Sequence, residues 1–198
     1  ADWPLWRGPS PNGVATPDPD PPIQWSATEN VAWKSAVPGR GNSSPTVVGR
    51  HVFLATADEQ QGSQSVLCYD RQSGKLLWQT EVHSGGLMRK NERSTGASGT
   101  VACDGESVFV NFANGGAVHV TALALDGRQR WQTRIGDYII HQGYGASPAV
   151  YRSLVIAAAD SHAGGVIAAL DRKTGAIMWK HERPKEPNYT SPILLNVG

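Results

Sequence analysis

Residues 169–179 read Ala-Leu-Asp-Arg-Lys-Thr-Gly-Ala-Ile-Met-Trp, and related stretches occur twice earlier in the chain. The copy at 68–78 reads Cys-Tyr-Asp-Arg-Gln-Ser-Gly-Lys-Leu-Leu-Trp, and a copy one residue shorter at 122–131 reads Ala-Leu-Ala-Leu-Asp-Gly-Arg-Gln-Arg-Trp. Every copy ends on a tryptophan that follows a glycine by four residues. Self-similarity with a period of roughly 40–50 residues is typical of propellers and solenoids and not of a domain with a single core.

The segments around each copy predict short β-strands. They alternate apolar and polar residues, are rich in β-branched side chains and are interrupted too often by glycine to form helices. Each repeat accommodates four such strands, A to D in chain order. Proline is tolerated at the first residue of strand A, where Pro45, Pro148 and Pro192 lie. We therefore predict an all-β chain built from four-stranded antiparallel units.

The repeat also predicts the domain organisation. We expect a lead segment at 1–29 and a repeat region at 30–198. Within that region we expect an outer strand at 30–37, blades at 43–82, 97–135 and 146–182, and the start of a further blade at 190–198. Since propellers usually close with about 4–8 blades, three blades with flanking strands predict a partial β-propeller, the N-terminal half of a seven- or eight-bladed ring. Unpaired strand edges invite association, so we expect protein partners or self-association through open blade edges.

Composition excludes several functional classes. A net charge of +1 argues against a dedicated nucleic-acid-binding protein, which would show a strong basic excess. No apolar run approaches the ~18 residues that a membrane span requires. The chain begins with Ala1 and has no initiator methionine, which is consistent with removal of a signal peptide. These features predict a periplasmic or secreted protein without a membrane span.

The repeated stretch resembles the tryptophan-docking motif of the PQQ-type (pyrroloquinoline-quinone-type, quinoprotein-like) β-propeller repeat family. The shared pattern is alanine, aspartate, threonine-glycine and tryptophan at fixed offsets, best seen in residues 169–179. The opening residues 3–9, Trp-Pro-Leu-Trp-Arg-Gly-Pro, are similar to the N-terminal lead of the non-catalytic secreted bacterial branch. The resemblance implies structural roles, with each indole buried against the neighbouring blade, for Trp78, Trp131, Trp179, Gly74, Gly127, Gly175, Asp70 and Asp171.

Candidate binding residues lie where a propeller presents its long loops. The loops from strand D to the next strand A, and those from B to C, share one face of the ring, and loops on a rigid scaffold commonly carry function. The candidates on this face are Arg89, Arg93, His141, Tyr144, Asp160, His162 and Tyr189. The arginines suit a carboxylate or a phosphate, although a solvated mixed-charge loop explains them as well. His141, Asp160 and His162 are a weak metal-ligand candidate, and Tyr144 and Tyr189 either pack the channel or face a ligand.

Three functional classes remain open. The favoured one is a non-catalytic extracytoplasmic scaffold or binding module, with no cofactor and no catalytic residue. The alternative is a PQQ- and calcium-dependent quinoprotein dehydrogenase, or half of one, and the second alternative is a carbohydrate-binding propeller. The resemblance implies that such a dehydrogenase carries a disulfide between adjacent cysteines, whereas Cys68 and Cys103 are far apart in the sequence.

Overall fold

The computed structural model describes residues 2–10, 12–15, 20–89 and 91–195. Ala1, at the start of the predicted lead segment, and 196–198, at the end of the predicted further blade, lie outside the described residues. The strands are, in chain order, β1 (Thr46–Val48), β2 (His51–Asp58), β3 (Ser63–Asp70), β4 (Leu76–Ser84), β5 (Ala102–Cys103), β6 (Ser107–Asn114), β7 (Ala117–Ala124), β8 (Gln129–Asp137), β9 (Ala149–Tyr151), β10 (Leu154–Ser161), β11 (Gly164–Asp171) and β12 (Ile177–Arg183). In the described part of the chain, no helix is found that could reach across a bilayer.

The strands form three antiparallel meanders. Blade 1 has the order β1-β2-β3-β4, blade 2 the order β5-β6-β7-β8, and blade 3 the order β9-β10-β11-β12. Neighbouring strands pair in antiparallel register throughout. The predicted fold class, an all-β partial β-propeller, is confirmed.

The hydrophobic core lies between the blades. One cluster joins blade 1 to blade 2 and includes Phe53 and Phe112, whose side chains are almost completely buried. A second cluster joins blade 2 to blade 3 and includes Phe109, Val155 and Leu170. Because the sheets face one another through these clusters, each blade depends on its neighbour for burial, as expected for a repeat architecture.

A tryptophan of one blade covers a glycine of the next blade. A Cβ atom on Gly127 would lie 2.8 Å from the ring of Trp78, and one on Gly175 would lie 2.6 Å from the ring of Trp131. Both glycines have positive φ, so a larger residue would be strained as well as obstructed. The indole nitrogens donate to the backbone oxygens of Leu125 (2.9 Å) and of Arg172 (3.1 Å).

Aspartates stabilise two turns of this kind, the turn of Gly74 in blade 1 and the turn of Gly175 in blade 3. The Asp70 carboxylate accepts hydrogen bonds from the Ser73 hydroxyl and backbone N–H (2.7 and 2.8 Å). These contacts lower the pKa of Asp70 to about 2. Asp171 accepts the equivalent bonds from Thr174 (2.9 and 2.8 Å), and its pKa is lowered for the same reason. The charged carboxylate therefore holds the turn in the shape that the tryptophan covers.

The predicted flanking strands differ from the structure. Residues 30–37 form no strand, and the described part of the predicted blade start, 190–195, forms none either. No ladder partner for either segment lies in the described part of the chain. Trp33 nevertheless covers Gly74 of blade 1 and donates to the backbone oxygen of Arg71 (2.9 Å). The contact between tryptophan and glycine therefore forms without the strand.

Trp179 also differs from the prediction. It was expected to be buried against a following blade, but it is 37% exposed, whereas Trp131 is 9% exposed. The physical reason is that no following blade lies among the described residues to cover it.

The N-terminal lead crosses the inner strands of the blades. Trp3 pairs with Val47 of β1, and Pro4 accepts a hydrogen bond from the backbone N–H of Cys103 in β5 (2.9 Å). Leu5 packs against the core cluster of blades 2 and 3. Asp2 accepts a bond from Gly49 (3.1 Å) in the turn between β1 and β2. The lead therefore lies at the end of the molecule that carries the A–B turns.

Candidate functional site

The long loops collect at the end of the blades opposite the A–B turns. They are 85–101 between β4 and β5, 138–148 between β8 and β9, and 184–195 after β12. We call this end the long-loop face. The B–C connections are short turns: 59–62 joins β2 to β3 and 162–163 joins β10 to β11. The candidates Asp160 and His162 therefore lie at a hairpin turn, because β10 extends to Ser161 and β11 begins at Gly164.

A cleft of about 470 Å³ opens on this face. The loops preceding all three blades and the segment following blade 3 contribute to it. Its polar lining residues, apart from the buried Tyr144, are Asn42, Asn91, Arg93, Ser94, Ser98, Gln142 and Tyr189. The volume lies in the range of small-molecule and peptide pockets, so the cleft is large enough to hold a ligand.

Hydrogen bonds between neighbouring loops fix the shape of the cleft. The backbone N–H of Asn91 donates to the backbone oxygen of Gln142 (3.0 Å), and the side-chain amide of Asn91 donates to the side-chain oxygen of Gln142 (2.8 Å). Asn42 donates through its backbone N–H to Ala97 (3.0 Å). Loops that are bonded to one another lose less conformational freedom when a ligand binds. The cleft is therefore preorganised.

Tyr144 forms the floor of the cleft. Its ring is 8% exposed, its hydroxyl donates to the backbone oxygen of Ala158 (2.9 Å), and it contacts Tyr138 edge to face at 5.2 Å between ring centroids. Burial raises the pKa of the Tyr144 phenol well above its ordinary value. Of the two interpretations of Tyr144, the geometry favours packing.

Three other predicted residues come together at the edge of the cleft. The Nδ1 atom of His141 lies 2.9 Å from the hydroxyl of Tyr189. The rings of His141 and His162 meet edge to face with their centroids 5.7 Å apart. Tyr189 lines the cleft. The two histidines lie behind Tyr189 and do not line the cleft themselves.

Asp160 pairs with an arginine of the same blade. Its carboxylate is buried and lies 3.1 Å from the guanidinium of Arg183. Burial raises its pKa in spite of that partner. No group of three His, Cys, Asp or Glu side chains within the described ranges is placed to hold a metal ion. The structure therefore gives no support to His141, Asp160 and His162 as a metal site.

The two predicted arginines are in different surroundings. Arg93 lines the cleft, whereas Arg89 is exposed and is not among the residues that line it. The amide side chains of Asn42, Asn91 and Gln142 were not predicted as site residues. Polar amides in loops carry no distinguishing sequence signal, and only the meeting of separate loops identifies them.

A second histidine pair lies away from the cleft and was not predicted. His83 lies at the end of β4, with its ring centroid 5.1 Å from that of His119 in β7. Burial lowers the pKa of His83 to about 4 and also lowers that of His119. Nε2 of His83 and Nδ1 of His119 are buried without a hydrogen-bond partner. Both imidazoles are therefore neutral at pH 7 and belong to the interface between blades 1 and 2.

Comparison with known proteins identifies a family. The model of the family described as "Outer membrane protein assembly factor BamB" matches residues 14–137 and 62–196. Proteins of that name from Yersinia pestis and Alkalilimnicola ehrlichii are each 27% identical to this chain, over 172 and 159 residues. These matches cover 84% and 79% of this chain but 40% and 36% of the relatives. The chain thus spans less than half the length of the curated relatives it matches.

Solved structures support the fold. A europium-containing methanol dehydrogenase superposes with a TM-score of 0.52 at 16% identity, over 73% of this chain and 25% of its own. The quinohemoprotein alcohol dehydrogenase from Comamonas testosteroni also gives a TM-score of 0.52, at 21% identity, over 75% of this chain and 22% of its own. At these identities the likeness establishes a shared propeller architecture and carries no information about activity.

Proposed function

The chain belongs to the outer membrane protein assembly factor BamB family of PQQ-type repeat proteins, and from that premise we propose that it is a non-catalytic, extracytoplasmic binding module that engages protein partners through its long-loop face. The names of the two relatives support outer-membrane protein assembly as the process, and we propose a periplasmic or secreted location. The chain contributes part of a propeller and supplies a rigid platform for its loops.

The cleft is the observation that carries this proposal. Loops of three successive blades converge on it and are joined by hydrogen bonds such as that between Asn91 and Gln142. The opposite end is occupied by the lead, where Pro4 accepts a bond from Cys103. A partner approaching along the propeller axis therefore meets prearranged polar groups at one end and the protein's own chain at the other.

We propose that the module works without PQQ or calcium. Calcium is bound by oxygen ligands that usually include carboxylates, and no Asp or Glu lines the cleft in the described part of the chain. A planar quinone would need flat groups on both of its sides, and Tyr189 is the one exposed aromatic side chain among the lining residues that the structure describes. The residues present do not fit either group, and we assign no reaction step to them.

Site-specific photo-cross-linking in cells tests the proposal. A photoreactive phenylalanine analogue is placed at Ile139, in the loop 138–148 of the long-loop face, and, as a matched control, at Arg128 in the turn between β7 and β8 at the opposite end. Both positions are exposed, and neither side chain belongs to the hydrogen bonds that fix the cleft. We expect cross-links to envelope proteins from position 139 and none from position 128. Equal yields from both positions, or cross-links from position 128 alone, would refute the long-loop face as the binding surface.

A further inference from the structure

The arrangement of charges and donors in the cleft suggests what it recognises. We propose that it binds an extended acidic polypeptide segment, with the guanidinium of Arg93 pairing with a side-chain carboxylate of the partner. This inference rests on the proposed function and specifies the chemistry of the bound partner.

Arg93 gives the cleft its charge. It is the one charged side chain among the lining residues that the structure describes, and it is exposed. Within the described ranges, none of the ion pairs involves Arg93. A guanidinium presents several N–H donors in a planar fork that matches a carboxylate. An unpaired guanidinium in a cleft without carboxylates is therefore available to an anionic group of a ligand.

The side chains of Gln142 and Asn91 present donors to a ligand. The side-chain oxygen of Gln142 is occupied by the amide of Asn91, which leaves the NH₂ group of Gln142 to donate. The side-chain oxygen of Asn91 is occupied by the backbone N–H of Arg93 (2.9 Å). Asn42, by contrast, donates its NH₂ group to the backbone oxygen of Arg93 (3.4 Å) and keeps its side-chain oxygen as an acceptor. An extended peptide carries both carbonyl acceptors and N–H donors along its backbone, and a side-chain carboxylate adds acceptors for Arg93.

The shape of the cleft suits an extended chain. Its walls come from separate loops of successive blades, so the groups that face a ligand are distributed along the cleft. Gly143 lies against the side chain of Ser94, and a Cβ atom at Gly143 would overlap the hydroxyl. This close approach holds the loops 85–101 and 138–148 together beside Tyr144. Sugars, by comparison, usually stack on aromatic faces, and Tyr189 is the one exposed ring among the described lining residues.

Fluorescence anisotropy with defined probes tests the inference. The probes are a fluorescein-labelled hexapeptide of alternating threonine and glutamate, its glutamine counterpart, and a labelled oligogalacturonate as a carboxylated sugar. We expect the glutamate peptide to bind the protein at least ten-fold more tightly than either other probe, and more weakly as salt rises. Equal binding of the glutamate and glutamine peptides would overturn the proposal, and so would a preference for the sugar.

Two substitutions locate the binding. We expect Arg93→Gln to weaken binding of the glutamate peptide at least ten-fold and Arg128→Gln, at an exposed arginine of the opposite end, to leave it within two-fold. Both side chains are exposed, so both variants should unfold at the same urea concentration as the parent. Unchanged affinity in the folded Arg93→Gln variant would overturn the proposal.

The outcomes separate this inference from the proposed function. Cross-links from position 139 without binding of the glutamate peptide would refute the acidic-segment inference and leave the long-loop face as the binding surface. Binding of the peptide that depends on Arg93, without cross-links from position 139, would support the recognition chemistry and refute the protein-binding role assigned to that face.

Discussion

The interface between blades 2 and 3 and the outer face of blade 3 present the same repeat in two environments. At the interface, Trp131 is 9% exposed, covers Gly175 and donates to the backbone oxygen of Arg172. On the outer face, Trp179 is 37% exposed, and neighbouring Met178 is 59% exposed. The two tryptophans occupy equivalent positions of the repeat. The difference shows that the tryptophan is buried only when a glycine turn of the next blade packs against it.

The outer face of blade 3 exposes apolar side chains of the kind that are buried between the blades. Leu194 packs against Ile156 there, while Ile193 is 50% exposed. An apolar surface of this kind contributes stability only when another surface removes it from water. Equivalent substitutions at the interface and on the outer face should therefore differ in cost, and this difference can be measured.

The largest expected effect is that of removing the covered indole. Trp131→Ala should lower the free energy of unfolding by about 3–5 kcal/mol, because it leaves a cavity in the core between two blades. Trp179→Ala should cost less than about half as much, since that side chain is partly in water. Urea unfolding of the 198-residue chain, at low protein concentration, measures both.

The same two variants can contradict this explanation. If Trp179→Ala costs as much as Trp131→Ala, the outer face of blade 3 is covered in solution. Sedimentation of the parent protein would then show whether a second copy covers it.

The second-largest effect tests the close contact between the glycine and the indole ring. Gly175→Ala should cost about 2–4 kcal/mol, combining overpacking with the strain of a positive φ. Gly105→Ala is the matched control, because Gly105 also has positive φ but nothing lies within 4 Å of an added Cβ atom. It should cost about 1 kcal/mol. Equal losses in urea unfolding would mean that the indole adjusts to the extra methyl group.

Much of this comparison could be predicted from the sequence. The spacing of glycine and tryptophan at 68–78, 122–131 and 169–179 predicts the strands and the blades, because it reflects local turn chemistry. The exposure of Trp179 could not be predicted, since it depends on a contact with a separate blade. Residues 30–37 have a strand-like pattern but form no strand, because a strand needs a partner that local sequence cannot supply.

The third effect distinguishes the two interfaces from each other. His83 meets His119 between blades 1 and 2, whereas Gly136 meets Val166 at the equivalent place between blades 2 and 3. Burial lowers the folded-state pKa of His83 to about 4, below the ordinary histidine value of 6.5 that the unfolded chain keeps. The unfolded chain therefore binds more protons between these values, and stability is lost as pH falls from about 6.5 towards 4. We expect a loss of about 1–2 kcal/mol between pH 7 and pH 5.

The control variant carries at the first interface the residues of the second, His83→Gly together with His119→Val. It removes both titrating imidazoles and keeps the neighbouring ion pair between Arg134 and Asp137. The fall in urea midpoint between pH 7 and pH 5 should shrink by most of the predicted amount. An undiminished fall would assign the acid sensitivity to other groups.

The candidate site was less predictable than the fold. Arg93 and Tyr189 were predicted because charged and aromatic residues stand out in loops, and both line the cleft. Asp160 looked equally functional, but it is buried and paired with Arg183. Gln142 was missed because its role depends on a hydrogen bond to Asn91 on another loop. Which loops meet is a property of the assembled blades and not of any one segment.

The smallest effect concerns the residue two positions after each tryptophan. Thr133 donates its hydroxyl to the backbone oxygen of Gly175 (2.8 Å), and Thr80 does the same to Gly127 (2.7 Å). His181 occupies this position on the outer face and contacts Trp179 instead. Thr133→Val should cost about 1 kcal/mol in urea unfolding, because it removes a bond and leaves a carbonyl oxygen unpaired. His181→Val should cost close to nothing, and a cost equal to that of Thr133→Val would show that the outer face is bonded to a partner in solution.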